Sequence, residues 1–218
     1  MIKAVIYDLD DTMVDSNPLH VEAFETILKK LGHDIDEMPA EIRSRFVGMR
    51  IVDISRKMCD YFKFDVNLEA FFRERNKVFL DIVKNKLQSM PGLLYSLRLF
   101  RENGLRVAIA SSGTREYINF VLEKFSIAGY FDVIVSGDDV KLGKPDPETY
   151  FVACEKLGLK PGECLVLEDS TVGVQSAKSA GCKCIAFQSP NTPVQDHSKA
   201  DLVLGSLEKL SMEIIRSL

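Results

Sequence analysis

Two aspartates separated by one residue, Asp8 and Asp10, follow directly after the apolar run from Ala4 to Tyr7. Such a run predicts a buried strand, and open α/β sheets bind ligands beyond the carboxyl ends of their strands. Two carboxylates this close repel each other, so a site that keeps both needs a divalent cation or a shared proton. The pair alone is equally typical of a solvated acidic turn. It indicates metal-assisted chemistry on an anionic substrate when other segments supply matching groups.

Three later segments follow apolar runs and carry such groups, namely Ser111-Ser112-Gly113, Lys144 within Gly-Lys-Pro, and Glu168-Asp169. Hydroxyls and backbone N–H groups at a helix start bind anions. A lysine between glycine and proline lies in a stiff turn that can aim its charge, and paired carboxylates suit Mg²⁺. Each segment also has an ordinary explanation, as a helix start, a solvated lysine or an acidic helix cap.

Composition excludes several classes of protein. A net charge of -4 over 218 residues, with no basic block, argues against a nucleic-acid partner. No apolar stretch reaches the roughly 18 residues that span a bilayer, and the chain starts directly with a strand pattern, so we expect a cytoplasmic location and no membrane contact. Five unpaired cysteines and three scattered histidines favour oxygen ligands for any metal. We expect a monomer or weak homodimer.

The order of apolar runs predicts an α/β fold with a doubly wound parallel sheet. Short β-rich runs alternate with helical patterns after residue 105, which is the rhythm of βαβ units. The predicted strands are Ala4 to Leu9, Leu105 to Ala110, Val133 to Val135, Cys164 to Leu167 and Cys182 to Phe187. Helices are expected to begin near Thr114, Asp146-Pro147 and Ser170-Thr171, and a closing surface helix near Leu207.

Residues 16 to 88 have helical periodicity throughout, which indicates an all-helical insertion after the first strand. Ser16-Asn17-Pro18 is expected to cap its first helix, and Met90-Pro91-Gly92 marks the return to the sheet. We predict a core of residues 1–15 and 90–218 and a cap of residues 16–89. Both crossings lie near the paired aspartates, so the cap can close over them as a lid.

The four motifs together, in this order, resemble the haloacid dehalogenase superfamily. Its phosphotransferase members carry D-x-D-x-T, then Ser or Thr, then Lys, then an acidic pair, and the matching residues here are Asp8, Asp10, Thr12, Ser111, Lys144, Glu168 and Asp169. The resemblance covers nearly the whole chain, including the E-D-S-x-x-G run that ends at Gly173. It implies a Rossmann-like core. The insertion looks like the small helical cap of the subgroup that includes β-phosphoglucomutase and phosphoglycolate phosphatases.

The resemblance also implies a role for each residue. Asp8 is expected to attack phosphorus and form an aspartyl-phosphate, while Asp10 acts as acid and then base. Mg²⁺ is expected on Asp8, the backbone carbonyl of Asp10 and Asp169, with Glu168 in or beside its coordination sphere. Thr12 is expected to stabilise the turn, and the phosphoryl oxygens of a small phosphorylated metabolite are expected to bind Lys144, Ser111, Ser112 and Gly113.

A phosphatase and a phosphomutase remain the two leading alternatives. His20 and Arg50 lie where β-phosphoglucomutase-like caps carry a histidine and a phosphate-binding arginine, although His20 also suits a half-exposed helix position and Arg50 a surface pair with Asp53. Thr12 after the catalytic pair favours the phosphatases. We therefore predict a phosphatase.

Other activities fit the sequence less well. Dehalogenases of the superfamily lack the second aspartate, and a phosphonatase needs a cap lysine in the site, whereas Lys29, Lys30, Lys57 and Lys77 have no recognisable context. A signalling receiver domain is shorter, has no cap and orders its motifs differently. A binding protein without turnover is disfavoured because every expected chemical group is present.

Overall fold

The computed structural model describes residues 1–218 and contains one large sheet and one small one. The strands are β1 (Ala4–Tyr7), β2 (Val14–Asp15), β3 (Gln88–Ser89), β4 (Arg106–Ala110), β5 (Val133–Val135), β6 (Cys164–Glu168), β7 (Lys183–Phe187) and β8 (Leu202–Leu204). Six of them form a sheet in the order β5-β4-β1-β6-β7-β8, and all of its pairings are parallel. The sheet is therefore doubly wound, as predicted, and the structure shows that the first strand lies in its interior.

The helices are α1 (Asn17–Lys30), α2 (Ala40–Arg43), α3 (Ile51–Phe62), α4 (Leu68–Lys86), α5 (Leu93–Glu102), α6 (Arg115–Lys124), α7 (Glu148–Leu157), α8 (Thr171–Ser179) and α9 (Met212–Ser217). Alternate residues of β1 enter different cores. Val5 and Tyr7 pack with α5, α6 and α9, whereas Ala4 and Ile6 pack with α7 and α8. A strand buried on both faces reads as a continuous apolar run, which is why the sequence revealed it.

The predicted insertion is helical, but less continuously than expected. Helices α1, α3 and α4 share a third hydrophobic core that includes Phe24, Ile54, Met58 and Phe71. Turns and 3₁₀ segments separate these helices, and the end of the insertion forms β3, which pairs antiparallel with β2. We call α1 to α4 with their connections, residues 17–86, the cap helices. The two-residue pairing was not predicted, because two residues carry no measurable periodicity.

Helices α6, α7 and α8 begin at the predicted signals, whereas the closing helix predicted over Leu207 to Leu218 begins only at Met212, after a 3₁₀ turn over Leu207–Lys209. The hydroxyl oxygens of Thr114 and Ser170 accept hydrogen bonds from backbone N–H groups in the first turns of α6 and α8. The side chain of Ser16 does not cap α1, which corrects the prediction; Asp11 instead accepts from the backbone N–H groups of Ser16 and Asn17 at 3.3 and 3.1 Å. No helix combines the length and the hydrophobicity that crossing a bilayer requires.

Candidate active site

Asp8 lies at the carboxyl end of the central strand, directly beyond Tyr7. Its backbone N–H donates to the carbonyl of Leu167 at 2.9 Å, which continues the ladder between β1 and β6 by one residue. Its carboxylate accepts a hydrogen bond from the ammonium of Lys144 at 2.5 Å. The side chain of Lys144 has no solvent exposure, and that of Asp8 is only 8% exposed. A buried aspartate in contact with one cation is suited to attack an electrophile.

Glu168 accepts a second hydrogen bond from the ammonium of Lys144, with 2.7 Å between Nζ and Oε1. Its two oxygens accept five hydrogen bonds in all, from Lys144, from the Tyr150 hydroxyl, from the N–H groups of Asp169 and Ser170, and from the Ser170 hydroxyl. A carboxylate offers about four lone-pair sites, so none is left for a metal. The prediction of Glu168 as a metal ligand is therefore corrected: the structure places it as the residue that orients Lys144.

Gly173 explains why the acidic motif continues to a glycine. A Cβ atom at this position would lie 1.7 Å from an oxygen of Glu168. Only glycine lets the first turn of α8 approach the carboxylate this closely. The E-D-S-x-x-G run is therefore a packing requirement of the Glu168 side chain.

Asp169 is the residue in this motif that fits a cation. It is 2% exposed, and its Oδ2 atom is buried with no hydrogen-bond partner. Burial raises the pKa of Asp169 well above the ordinary range, and repulsion from Glu168 raises it further. Burial also raises the pKa of Asp8, although Lys144 opposes the rise. A divalent cation between such groups would restore their ionised forms.

The side chains alone do not complete a metal site. The structure contains no group of three or more His, Cys, Asp and Glu side chains placed to hold one ion. Asp8 and Asp169 therefore suit a hard cation that takes its remaining ligands from backbone carbonyls and water, as Mg²⁺ commonly does.

Asp10 projects into a ring of hydrogen-bond donors. Its Oδ1 atom accepts from the Ser16 hydroxyl at 2.6 Å, from the Tyr117 hydroxyl at 3.0 Å and lies 3.3 Å from Nε2 of His20. Burial raises the pKa of Asp10, but the hydrogen bonds from His20, Ser16 and Tyr117 outweigh burial, so that the pKa lies below its ordinary value. In this arrangement Asp10 is a carboxylate, the form that accepts a proton.

His20 connects Asp10 to a buried arginine of the cap helices. Its Nδ1 atom lies 2.5 Å from the guanidinium of Arg75, and its ring stacks on Phe79 at 4.0 Å between centroids. Burial and the neighbouring Arg75 lower the pKa of His20. A neutral imidazole that accepts from arginine at Nδ1 carries its proton on Nε2, and it can therefore donate that proton's hydrogen bond to Asp10.

Sequence reasoning missed Arg75 and Tyr117. Arg75 is fully buried, with its guanidinium 4.5 Å from the ring of Phe24 and 4.7 Å from that of Phe79. It occupies the buried stripe of α4, between Phe71 and Phe79. A charged residue in the apolar stripe of an amphipathic helix is the signal that could have revealed it. Tyr117 gives no comparable signal, since an aromatic residue in a helix such as α6 is interpreted as part of the hydrophobic core.

The predicted phosphate loop follows the carboxyl end of β4, the strand that pairs with β1. Ser111 is fully buried, and its hydroxyl oxygen accepts from the N–H of Gly113 at 2.9 Å. The hydroxyl of Ser112 donates to the backbone carbonyl of Gly48 at 2.8 Å and thus ties the loop to the cap helices. Thr12 is buried, and its hydroxyl has no partner within the protein.

Gly48 and Arg50 attach the cap helices to the core. A Cβ atom on Gly48 would lie 2.2 Å from the hydroxyl oxygen of Ser170. The guanidinium of Arg50 pairs with Asp53 at 2.8 Å and donates to the carbonyl of Val140 at 3.1 Å. Arg50 thus forms the pair with Asp53 that the sequence offered as the alternative to phosphate binding, and it does not line the cavity between the core and the cap helices.

A cavity of about 290 Å³ lies between the core and the cap helices. Asp8, Asp10, Ser112 and Gly113 line it from the core, and His20 lines it from the cap helices. Pockets that bind small molecules are commonly of this size or larger. The structure thus brings the paired aspartates and part of the phosphate loop to one cavity.

The model of the family described as haloacid dehalogenase-like hydrolase matches residues 5–187. The chain is 31% identical to a phosphorylated carbohydrates phosphatase of Thermotoga maritima, over 84% of each chain, and 31% identical to hexitol phosphatase A of Escherichia coli, over 96% of this chain and 94% of the relative. It also superimposes on a β-phosphoglucomutase of Clostridium difficile with a TM-score of 0.86, over 100% of this chain and 96% of that one; at 22% identity this likeness shows the shared fold.

Proposed function

This chain belongs to the haloacid dehalogenase-like hydrolase family, and we propose that it hydrolyses small phosphate monoesters with Mg²⁺ through an aspartyl-phosphate on Asp8. The family, the fold class and the enzyme class, a phosphoric monoester hydrolase, agree with those predicted from the sequence motifs. The substrate, the metal and the covalent intermediate are the content of the proposal.

The observation that carries the proposal is the position of Asp8 between Lys144 and the cavity. An oxygen of Asp8 attacks phosphorus, so that an Asp–phosphorus bond forms while the bond from phosphorus to the ester oxygen breaks. Lys144, fixed by Glu168, offsets the charge that accumulates as a dianion approaches a carboxylate. Phosphoryl transfer depends mainly on positioning and charge stabilisation, which these contacts provide.

Asp10 handles the proton on the ester side. Asp10 gives a proton to the departing oxygen and regains one from the water that attacks the aspartyl-phosphate, so each turnover restores its protonated form. Its hydrogen bonds from Ser16, Tyr117 and His20 favour the ionised form, which is the form that accepts the proton from water. Because His20 lies on the cap helices, movement of these helices changes the proton affinity of Asp10 and links the two halves of the reaction to closure.

A Mg²⁺ ion would be held by Asp8 and Asp169, with the backbone carbonyl of Asp10 as a further ligand. The unpartnered Oδ2 atom of Asp169 and the raised pKa of both aspartates support this assignment. The ion would supply positive charge beside the phosphoryl group. Lys144 contacts Asp8 directly, so the protein provides part of that charge itself.

Hydrolysis is favoured over phosphomutase activity by the cap helices. A mutase must bind a second phosphate while the intermediate turns round, and Arg50, the residue expected to do this, is paired with Asp53. Arg43 is the one lysine or arginine that lines the cavity, and it is paired with Asp36 at 2.8 Å. We assign residues 16–89 as the cap and residues 1–15 and 90–218 as the catalytic core.

The test measures phosphate released from p-nitrophenyl phosphate and from a panel of phosphorylated metabolites, with and without Mg²⁺. Asp8→Asn is expected to abolish turnover, whereas Asp65→Asn, at an exposed position of the cap helices, is expected to leave it unchanged. Mass spectrometry of acid-quenched Asp10→Asn is expected to find a phosphoryl group on the peptide that contains Asp8. Substantial turnover by Asp8→Asn would disprove the assignment of the nucleophile, and conversion of β-glucose 1-phosphate without phosphate release would favour the mutase.

A further inference from the structure

The walls of the cavity differ in chemistry. All ten of its hydrophobic lining residues belong to the cap helices and their connections, and they include Phe24, Phe46, Met49, Ile51, Ile54 and Met58. The polar floor, with its aspartates and serine, belongs mainly to the core. A phosphate ester bound with its phosphoryl group on Asp8 must therefore place its leaving group against an apolar surface.

The few polar side chains of the apolar wall are largely committed elsewhere. His20 contacts Asp10 and Arg75, and one terminal nitrogen of the Arg43 guanidinium is paired with Asp36, whereas Nε of Arg43 is buried without a hydrogen-bond partner. A polyol has several hydroxyl groups, and each loses its hydrogen bonds to water on entering such a site. Burial of a hydroxyl without a replacement hydrogen-bond partner is unfavourable, so this wall disfavours a polyol leaving group.

We propose, on the basis of the phosphatase activity proposed above, that the substrate is a phosphate monoester whose leaving group carries an apolar body, such as an aromatic ring or a short alkyl chain. An apolar cavity of about 150 Å³ accommodates benzene. The volume of about 290 Å³ found here thus holds one ring together with the phosphoryl group. The phosphorus–oxygen bond is cleaved as above, and the alcohol departs with the proton from Asp10.

A substrate series with similar leaving groups tests this preference. Ethyl, butyl, hexyl and benzyl phosphate all release a primary alcohol, as do glycerol 3-phosphate and sorbitol 6-phosphate, so the intrinsic reactivity of these esters varies little. One methylene group in an apolar pocket changes kcat/KM by about tenfold or more. We expect kcat/KM to rise from ethyl to hexyl and benzyl phosphate, and to be at least about tenfold higher for benzyl than for sorbitol phosphate.

Two variants locate the preference on the wall. Phe46→Ala is expected to lower kcat/KM for benzyl phosphate by about tenfold or more while changing that for ethyl phosphate little. Ile42→Ala is the matched control, because Ile42 lies four residues away, is exposed and does not line the cavity. An equal loss on all esters in Phe46→Ala would contradict the inference. Met49→Ser, a second substitution on the wall, is expected to reproduce the selective loss.

Binding without turnover provides an independent measurement. Calorimetry of benzylphosphonate on the Asp8→Asn variant is expected to show a negative heat-capacity change, which marks burial of apolar surface, and 2,3-dihydroxypropylphosphonate is expected to show a smaller one. If sorbitol phosphate is the better substrate, the inference is wrong and the phosphatase proposal stands. If none of the esters releases phosphate and Asp8 is never phosphorylated, the phosphatase proposal itself fails.

Discussion

Replacement of Lys144 by methionine tests whether this residue neutralises two buried carboxylates. The ammonium lies 2.5 Å from an oxygen of Asp8 and 2.7 Å from one of Glu168. With an effective dielectric constant of about 20, each contact corresponds to about 6 kcal/mol of Coulomb attraction. The cost of removing the ammonium from water offsets much of this gain, and removal of one partner of a buried ion pair typically costs about 3–5 kcal/mol.

We therefore expect Lys144→Met to lower the free energy of unfolding in metal-free buffer by about 3–5 kcal/mol, measured by urea denaturation. Lys141→Met is the matched control. Lys141 lies three residues earlier in the same loop with an exposed side chain that forms no ion pair, so its replacement is expected to change the free energy by less than about 0.5 kcal/mol.

A double variant separates charge from packing. If the loss in Lys144→Met arises from uncompensated negative charge, adding Glu168→Gln removes one of the two carboxylates and recovers part of the stability. Coupling between residues in one network is typically about 0.5–3 kcal/mol. A single variant that loses less than about 1 kcal/mol, or a double variant whose losses are simply additive, would refute the reasoning.

Three further variants test the cap and the metal. Gly48→Ala is expected to lower kcat/KM by about tenfold or more, because the new Cβ atom meets Ser170. Gly32→Ala is the control, since Gly32 has a similar φ but no neighbour within 4 Å of a Cβ atom. This control is expected to cost only about 1–2 kcal/mol of stability. Asp169→Asn is expected to abolish stabilisation by Mg²⁺, which in the parent reaches about 2.7 kcal/mol at 100 times Kd in thermal unfolding; equal stabilisation of both proteins would contradict the assignment. Arg75→Met is expected to lower kcat by about tenfold, because His20 loses its orientation, and to lower the free energy of unfolding by less than about 1.5 kcal/mol. Arg73→Met, at an exposed position, is expected to change neither quantity. An unchanged kcat in Arg75→Met would show that Arg75 does not act through His20.

The strands that carry the site and the edge at which it lies were predictable from the sequence. β1 and β6 are buried on both faces, so their apolar runs stand out, and Asp8 and Asp169 follow these runs directly. Lys144 lies in the loop that follows β5. Parallel strands expose their carboxyl ends at one edge, which makes the meeting of these residues a consequence of topology. β4, which pairs with β1, was also predicted from an apolar run, and it leads into the loop that contains Ser111.

The part played by each side chain was less predictable. Glu168 and Asp169 are adjacent acidic residues, and nothing in the sequence distinguishes their roles. In the structure Glu168 accepts five hydrogen bonds, whereas Asp169 keeps an oxygen without a partner. Arg50 and Arg75 are both arginines of the cap helices, and the one expected in the site lies outside it while the other contacts His20. Such differences depend on contacts between residues far apart in the chain.

Hydrophobic periodicity and motif spacing are local properties of the chain, and they predicted five of the six strands of the large sheet, the helical insertion and the charged groups of the site. Three features became apparent only from contacts across the fold: Glu168 orients Lys144, Asp169 keeps an oxygen free for a cation, and the wall that faces them is apolar. The physical reason is that hydrogen bonding and desolvation depend on distances between elements, and no local pattern records those distances.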